Sequence, residues 1–145
     1  MKRGFFGIGI YEPKTIENLG TLWRSAHNFG ASFIFTINNR YAEQCSDTTK
    51  AYRHIPLIFF KNINDFISFL PKNSELIGVE QTKRSVDIKS FKHPEGAIYL
   101  LGAEDIGLPS KILKRCSNII SVDTPMCLNV AVTGSIVMFD RNNKK

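Results

Sequence analysis

Short apolar runs alternate with amphipathic stretches along the whole chain, and that alternation admits few architectures. Phe5-Phe6-Gly7-Ile8-Gly9-Ile10 reads as a buried strand, followed by a turn at Tyr11-Glu12-Pro13-Lys14. From Asn18 to Phe29 the apolar positions Leu19, Leu22, Trp23, Ala26 and Phe29 recur at helical spacing, and Gly30 stands where a C-cap belongs. Phe33 to Ile37 is a second strand, so the opening is a strand-helix-strand unit, which implies parallel pairing and a right-handed crossover. The polar stretch from Asn38 to Arg53 reads as a loop with room for one helical turn.

The pattern then repeats. Leu57 to Phe60 reads as a strand, and Ile63, Phe66, Ile67 and Leu70 form a helical stripe that stops at Pro71. Leu76 to Val79, Ala97 to Leu101 and Ile119 to Val122 are further strands; Ser110 to Arg115 and Leu128 to Arg141 are helices. The class is α/β, a parallel sheet flanked by helices. At 145 residues, the expectation is one domain spanning 1–145, able to bury a core without disulfides or metal. Val130, Val132, Ile136, Val137 and Phe139 occupy much of the last helix's circumference, which predicts burial in the core and against a second subunit.

A formal net charge of +6 favours a polyanionic partner. The basic start at Met1-Lys2-Arg3 is cut off by Glu12-Pro13 before a signal segment can form, and no apolar run approaches the ~18 residues that span a bilayer. A cytoplasmic protein with no membrane partner is expected. Cys45, Cys116 and Cys127 are far apart, and His27, His54 and His93 lack ligand spacing, so reduced thiols and no metal are expected. Gly7-Ile8-Gly9 lies inside a strand with no third glycine opening a helix, so it is not a dinucleotide fingerprint, and no P-loop occurs.

Three polar islands interrupt the apolar pattern, each after a strand. The first is Asn18-Leu19-Gly20-Thr21-Leu22-Trp23-Arg24 and the second Leu101-Gly102-Ala103-Glu104-Asp105-Ile106-Gly107-Leu108-Pro109. The third, Thr124-Pro125-Met126-Cys127-Leu128-Asn129-Val130-Ala131-Val132, sets one amide, Asn129, in an apolar segment, where a polar group without a partner costs roughly 1–3 kcal/mol. Each has a plainer reading: Asn18 as a helix cap, Arg24 as a solvated charge, the glycines as a turn. Asp105 reads as surface charge, and Cys127 either as an inert thiol or as a nucleophile without a neighbouring His.

Taken in order, the islands resemble the three motifs of the SpoU/TrmH-type branch of the SPOUT RNA methyltransferases, across the whole chain. The resemblance implies a C-terminal trefoil knot, a homodimer with its active site between subunits, and transfer of methyl from S-adenosylmethionine to a ribose 2′-hydroxyl, leaving S-adenosylhomocysteine. It assigns catalysis to Arg24, with Asn18 and Asn129 positioning it or the ribose. Arginine holds its proton to pH ~12 or above, so the residue acts either after losing its charge beside bound phosphate or as a cation facing the developing alkoxide. The donor is expected against Val79, Glu80, Gly102, Glu104, Gly107, Val122, Thr124, Met126, Cys127 and Leu128, mostly through backbone groups.

The third motif departs from the pattern. It runs straight from Met126 to Cys127, without the usual Gly-containing insertion and with Cys where Ser is usual; a thiol is a poor hydrogen-bond donor. A chain without accessory segments resembles the small tRNA-modifying members, so tRNA is the expected substrate. The alternatives are a ribosomal RNA methyltransferase and a catalytically idle RNA-binding protein of the same fold. Lys2, Arg3, Arg40, Lys50, Arg53, Lys83, Arg84, Arg141, Lys144 and Lys145 are the candidate phosphate contacts.

Overall fold

Every strand pairing is parallel in the computed structural model, which describes residues 4–40 and 54–144. The elements follow in the order β1 (Phe5–Tyr11), α1 (Ile16–Phe29), β2 (Phe33–Ile37), β3 (Leu57–Phe60), α2 (Ile63–Phe69), β4 (Glu75–Val79), β5 (Val86–Asp87), β6 (Gly96–Gly102), α3 (Ser110–Leu113), β7 (Asn118–Ser121) and α4 (Val130–Asn143). The sheet order is β3-β2-β1-β6-β4-β7-β5, so β6, β4 and β7 lie side by side. The proposed loop from Asn38 to Arg53 falls largely outside the described residues, as do Cys45, Lys2, Arg3, Lys50, Arg53 and Lys145.

Side chains alternate between the two faces, as the pleat requires. On one face Ile8, Ile10, Tyr99 and Leu101 pack with Leu19, Leu22, Trp23 and Ala26 of α1 and with Val130, Val137 and Met138 of α4. On the other, Phe35, Ile98 and Leu100 pack with Phe66 of α2 and Ile112 of α3. The glycines of β1 are explained here: a Cβ on Gly9 would lie 2.5 Å from the Phe35 ring, so the glycine makes room for an aromatic, not for a nucleotide.

Several element ends differ from the sequence reading. Thr15, not Asn18, caps α1, accepting from the Asn18 backbone N–H at 3.4 Å. Asn18 is thereby freed from the capping role. Gly30 closes the helix in the left-handed conformation, with φ 86°. The last helix starts at Val130, with Asn129 as its N-cap, and α3 is shorter than expected. The two-residue β5 and the 3-10 turn at Ile88–Ser90 were not foreseen.

Arg141 corrects the expectation of a phosphate contact. It is 3% exposed and donates to the backbone carbonyls of Pro94 at 2.7 Å and Glu95 at 2.8 Å and to the Tyr99 hydroxyl at 3.2 Å. Its guanidinium also lies over the Phe6 ring, 5.0 Å from the centroid. Beside it, His93 spans the Tyr99 hydroxyl at 2.6 Å and the Asp140 carboxylate at 2.8 Å, and Lys144 closes on Asp140 at 2.7 Å. Arg141 therefore fastens α4 to the amino-terminal end of the sheet, and Lys144, donating to the Ile88 and Phe91 carbonyls, fastens it to the 3-10 turn.

Candidate functional site

Parallel strands put all their carboxyl ends on one edge, and ligands of open α/β sheets bind there. In this chain β4 leads into Val79-Glu80-Gln81, β6 into the Gly102 to Gly107 loop, and β7 into the segment before α4. These three connections enclose a cavity of about 270 Å³. Nine of the ten donor-contact residues expected from the sequence line it: Val79, Glu80, Gly102, Glu104, Gly107, Val122, Thr124, Cys127 and Leu128. Met126 does not; it is 81% exposed on the outer side of its turn, where Thr124 Oγ1 donates to its carbonyl at 2.6 Å.

The middle wall is a tight turn. Gly107 N–H donates to the Ala103 carbonyl at 2.8 Å, and the two residues bridge in antiparallel fashion. The turn folds back so closely that a Cβ on Gly102 would lie 2.4 Å from the Gly107 carbonyl carbon. Glycine is therefore required at Gly102 for this wall to form. Glu104 reaches from the turn to α4, its carboxylate accepting from the Val130 N–H at 3.2 Å, so it fixes the loop to the last helix of its own chain.

Neither Asn129 nor Asn18 lines the cavity, but Asn129 sits between two residues that do, Leu128 and Val130. Its side-chain oxygen accepts from the N–H groups of Ala131 at 2.8 Å and Val132 at 3.2 Å, the two-donor capture of an N-cap. Its amide nitrogen donates to Asn18 Oδ1 at 2.9 Å. One side chain thus satisfies the helix start and joins the first polar island to the third. The amide singled out in the sequence has its partners, and they lie on α1 and α4.

Glu80 stands half-buried at the end of β4. Its Oε1 accepts from the Leu108 N–H at 3.3 Å, and both carboxylate oxygens lie 3.1 Å from where a Gly107 Cβ would be. Burial pushes its carboxyl above the usual range, partly offset by the Leu108 hydrogen bond. Asp105, read as plain surface charge, instead receives Arg40 bidentately at 2.9 and 3.1 Å, which holds its carboxyl below the usual range. Arg40 also donates to the Glu12 carbonyl at 2.9 Å, tying the loop after β2 to the turns after β1 and β6. The charge expected to meet phosphate at Arg40 is engaged within the chain.

Arg24 is exposed on α1, makes no hydrogen bond or ion pair among the described residues, and does not line the cavity. It lies six positions beyond Asn18, which sets the two about 120° apart around the helix and roughly 9 Å along it. The structure therefore joins Asn18 to Asn129 but leaves Arg24 apart from that pair. Cys127 lies exposed at the cavity, whereas Cys116 is buried and its thiol is pushed up to about 11. Gln81, Ser121 and Thr133 also line the cavity and were not among the expected contacts. The strand-end rule would have found the first two, since each sits at or just past the end of a strand; Thr133 lies one helical turn beyond Asn129 and would follow from that cap.

A model of the SpoU rRNA Methylase family matches residues 6–139. Mouse tRNA (guanosine(18)-2'-O)-methyltransferase TARBP1 is 28% identical over 134 residues, covering 85% of this chain. The chain spans only 8% of that relative's length. Among solved structures, the SpoU methyltransferase AviRb from Streptomyces viridochromogenes superposes with a TM-score of 0.84 at 18% identity, over 95% of this chain and 58% of that one. An AdoMet-bound rRNA methyltransferase from Sinorhizobium meliloti gives 0.83 at 22% identity, over 97% and 56%. A structure described as giving insight into 2-OH methylation of C/U34 on tRNA gives 0.84 at 20% identity, over 96% and 95%. At these identities the superpositions establish a shared fold.

Proposed function

The chain belongs to the SpoU rRNA methylase family, and from that membership we propose that it transfers a methyl group from S-adenosylmethionine to a ribose 2′-hydroxyl of RNA, with tRNA as substrate. The observation that carries this reading is the cavity at the ends of β4, β6 and β7, bounded by the second and third polar islands and tied to the first through Asn18 and Asn129. The residues present fit an adenosyl group: Val79, Leu101, Val122 and Leu128 supply apolar walls, and the turn that glycine at Gly102 allows to close on Gly107 supplies a backbone wall between them.

When bound, the sulfonium supplies an already activated methyl. What remains for the protein is to hold the attacking oxygen in line and to stabilise the charge left as its proton departs. Asn129, between the lining residues Leu128 and Val130, and its partner Asn18 orient the ribose. Arg24, as a cation, stabilises the developing alkoxide while water takes the proton.

Because Arg24 is exposed and does not line its own chain's cavity, the reading includes a homodimer in which it completes the partner's site. A groove along α1 and α4, lined by Phe29, Val132, Ile136 and Phe139, supports that assembly, with Val132 45% and Phe139 58% exposed. The trefoil knot belongs to the same reading; it is supported by the insertion of β7, late in the chain, between β4 and β5. A cytoplasmic location is part of it too, and no described helix is long and apolar enough to cross a membrane. The tRNA assignment draws on the mouse relative named for tRNA 2'-O-methylation.

The test is incubation with methyl-labelled S-adenosylmethionine and separate bulk tRNA and ribosomal RNA pools, followed by nucleoside analysis. Label in a 2′-O-methyl nucleoside from tRNA is the expected result. Label from ribosomal RNA alone would move the substrate. Donor binding with no label in either pool would favour an idle RNA-binding protein, the reading to which Cys127 in the shortened third motif points.

A further inference from the structure

Of the two carboxylates that line the cavity, Glu104 is exposed and Glu80 is held half out of water. Glu104 has a backbone donor at the start of α4, Asp105 has Arg40, and Asn129 uses both ends of its amide. Glu80 has one long bond from Leu108 through Oε1; Oε2 has no hydrogen-bond partner and neither oxygen has a cationic partner among the described residues. An ionised carboxylate offers about four acceptor positions, and leaving them empty while half out of water is costly. The upward shift of its carboxyl, caused by burial, expresses the same cost.

We propose that the Glu80 carboxylate accepts the 2′,3′-diol of the adenosyl ribose, so that the chain reads its methyl donor through a side chain as well as through loop backbone. This rests on reading the cavity as the donor site. Glu80 is the first residue past β4 and faces the turn after the neighbouring strand β6, and a carboxylate so placed in an open α/β sheet is well positioned to take ribose hydroxyls. The glycine at Gly107 lets both oxygens lie flat on that turn, where they present two acceptors side by side.

The competing hydrogen-bond donor on the same molecule is its ammonium group. Bringing a strongly hydrated ammonium to a half-buried carboxylate would desolvate two ions, whereas a vicinal diol supplies two neutral donors without that cost. Glu104, exposed at the α4 end of the cavity, is the better partner for the charged tail.

Calorimetric binding of three ligands to the full chain and to its Glu80→Ala variant tests this: S-adenosylhomocysteine, 5′-methylthioadenosine, which lacks the amino-acid tail, and 2′,3′-dideoxy-5′-methylthioadenosine. The expected result is an equal loss for the first two, about 10- to 100-fold for removal of hydrogen bonds to a charged group, and no change for the third. Loss for S-adenosylhomocysteine alone would assign Glu80 to the ammonium and overturn the proposal. Equal loss for all three would make Glu80 a prop for the turn, and no loss for any would remove it from binding; both overturn it. If Glu80→Ala does not fold, Glu80→Gln keeps one neutral acceptor and is expected to show the same ligand pattern with a smaller loss. Failure of the unaltered chain to bind S-adenosylhomocysteine or methylthioadenosine would instead overturn the donor-site reading itself.

Discussion

The two ends of the sheet are both rich in charge, yet they treat it in opposite ways. At the amino-terminal end Arg141, Tyr99, His93, Asp140 and Lys144 form a closed set in which each group meets another or a backbone carbonyl. Tyr99 is buried deeply enough that its hydroxyl is pushed up to about 12, so it stays a neutral member of the network. At the carboxyl-terminal end Glu80 keeps an unused oxygen beside a cavity of about 270 Å³, and further along α1 Arg24 keeps an unpaired guanidinium among the described residues. Charge whose partners lie within the chain holds the fold together; charge left open marks where a ligand completes the structure.

Substitutions at each end break this contrast in different currencies. Arg141→Ala removes the donor to the carbonyls of Phe5, Pro94 and Glu95 and to the Tyr99 hydroxyl and should cost about 3 kcal/mol, a fall of roughly 10 °C in Tm, while donor affinity of the folded fraction stays unchanged. Thermal unfolding followed by calorimetric binding checks both halves; a Tm within 2 °C of the parent would show the amino-terminal network to be ornamental.

Asn129→Ala belongs to both ends of the argument. It deletes an N-cap and should cost about 1 kcal/mol, and it also breaks the bridge to Asn18, so methyl transfer should fall further than stability does. Asn129→Asp sharpens the result: the cap oxygen remains but the donor to Asn18 is gone. Stability near the parent's with transfer still low would separate capping from positioning.

The smallest expected effect is on pH dependence. Burial holds His93 below its usual range against the opposing pull of Asp140. The folded state therefore favours neutral His93, and its contribution is full above the unfolded-state value near 6.5 and is lost as pH falls through the lower folded-state value. Tm should decline as pH drops from about 7 towards 5, and His93→Gln should flatten that decline. A decline equally steep in the variant would place the titration elsewhere.

The alternation of strands and helices was legible because burial on one or two faces writes a period into the apolar residues. What escaped lacks such a period. The two residues of β5 carry no apolar run, and Thr15 and Asn18 are both good caps three positions apart, so only the backbone decides between them. Arg141 looked like terminal surface charge since its partners are carbonyls 46 and 47 positions away, and Arg40 finds Asp105 at a separation of 65. The cavity lining was readable where motif residues follow strands. The state of the Glu80 side chain was not, because it depends on how the turn at Gly107 folds over it.

The central claim is that this chain transfers methyl groups with Arg24 facing the reacting oxygen, and one paired measurement addresses it most directly. Donor affinity by calorimetry and the rate of label transfer to RNA are compared for the parent and Arg24→Ala. The account predicts affinities within about twofold and a transfer rate lowered by 10²-fold or more, the loss typical of removing a preorganised charge at a developing oxyanion. Transfer at the parent rate by the variant would contradict it.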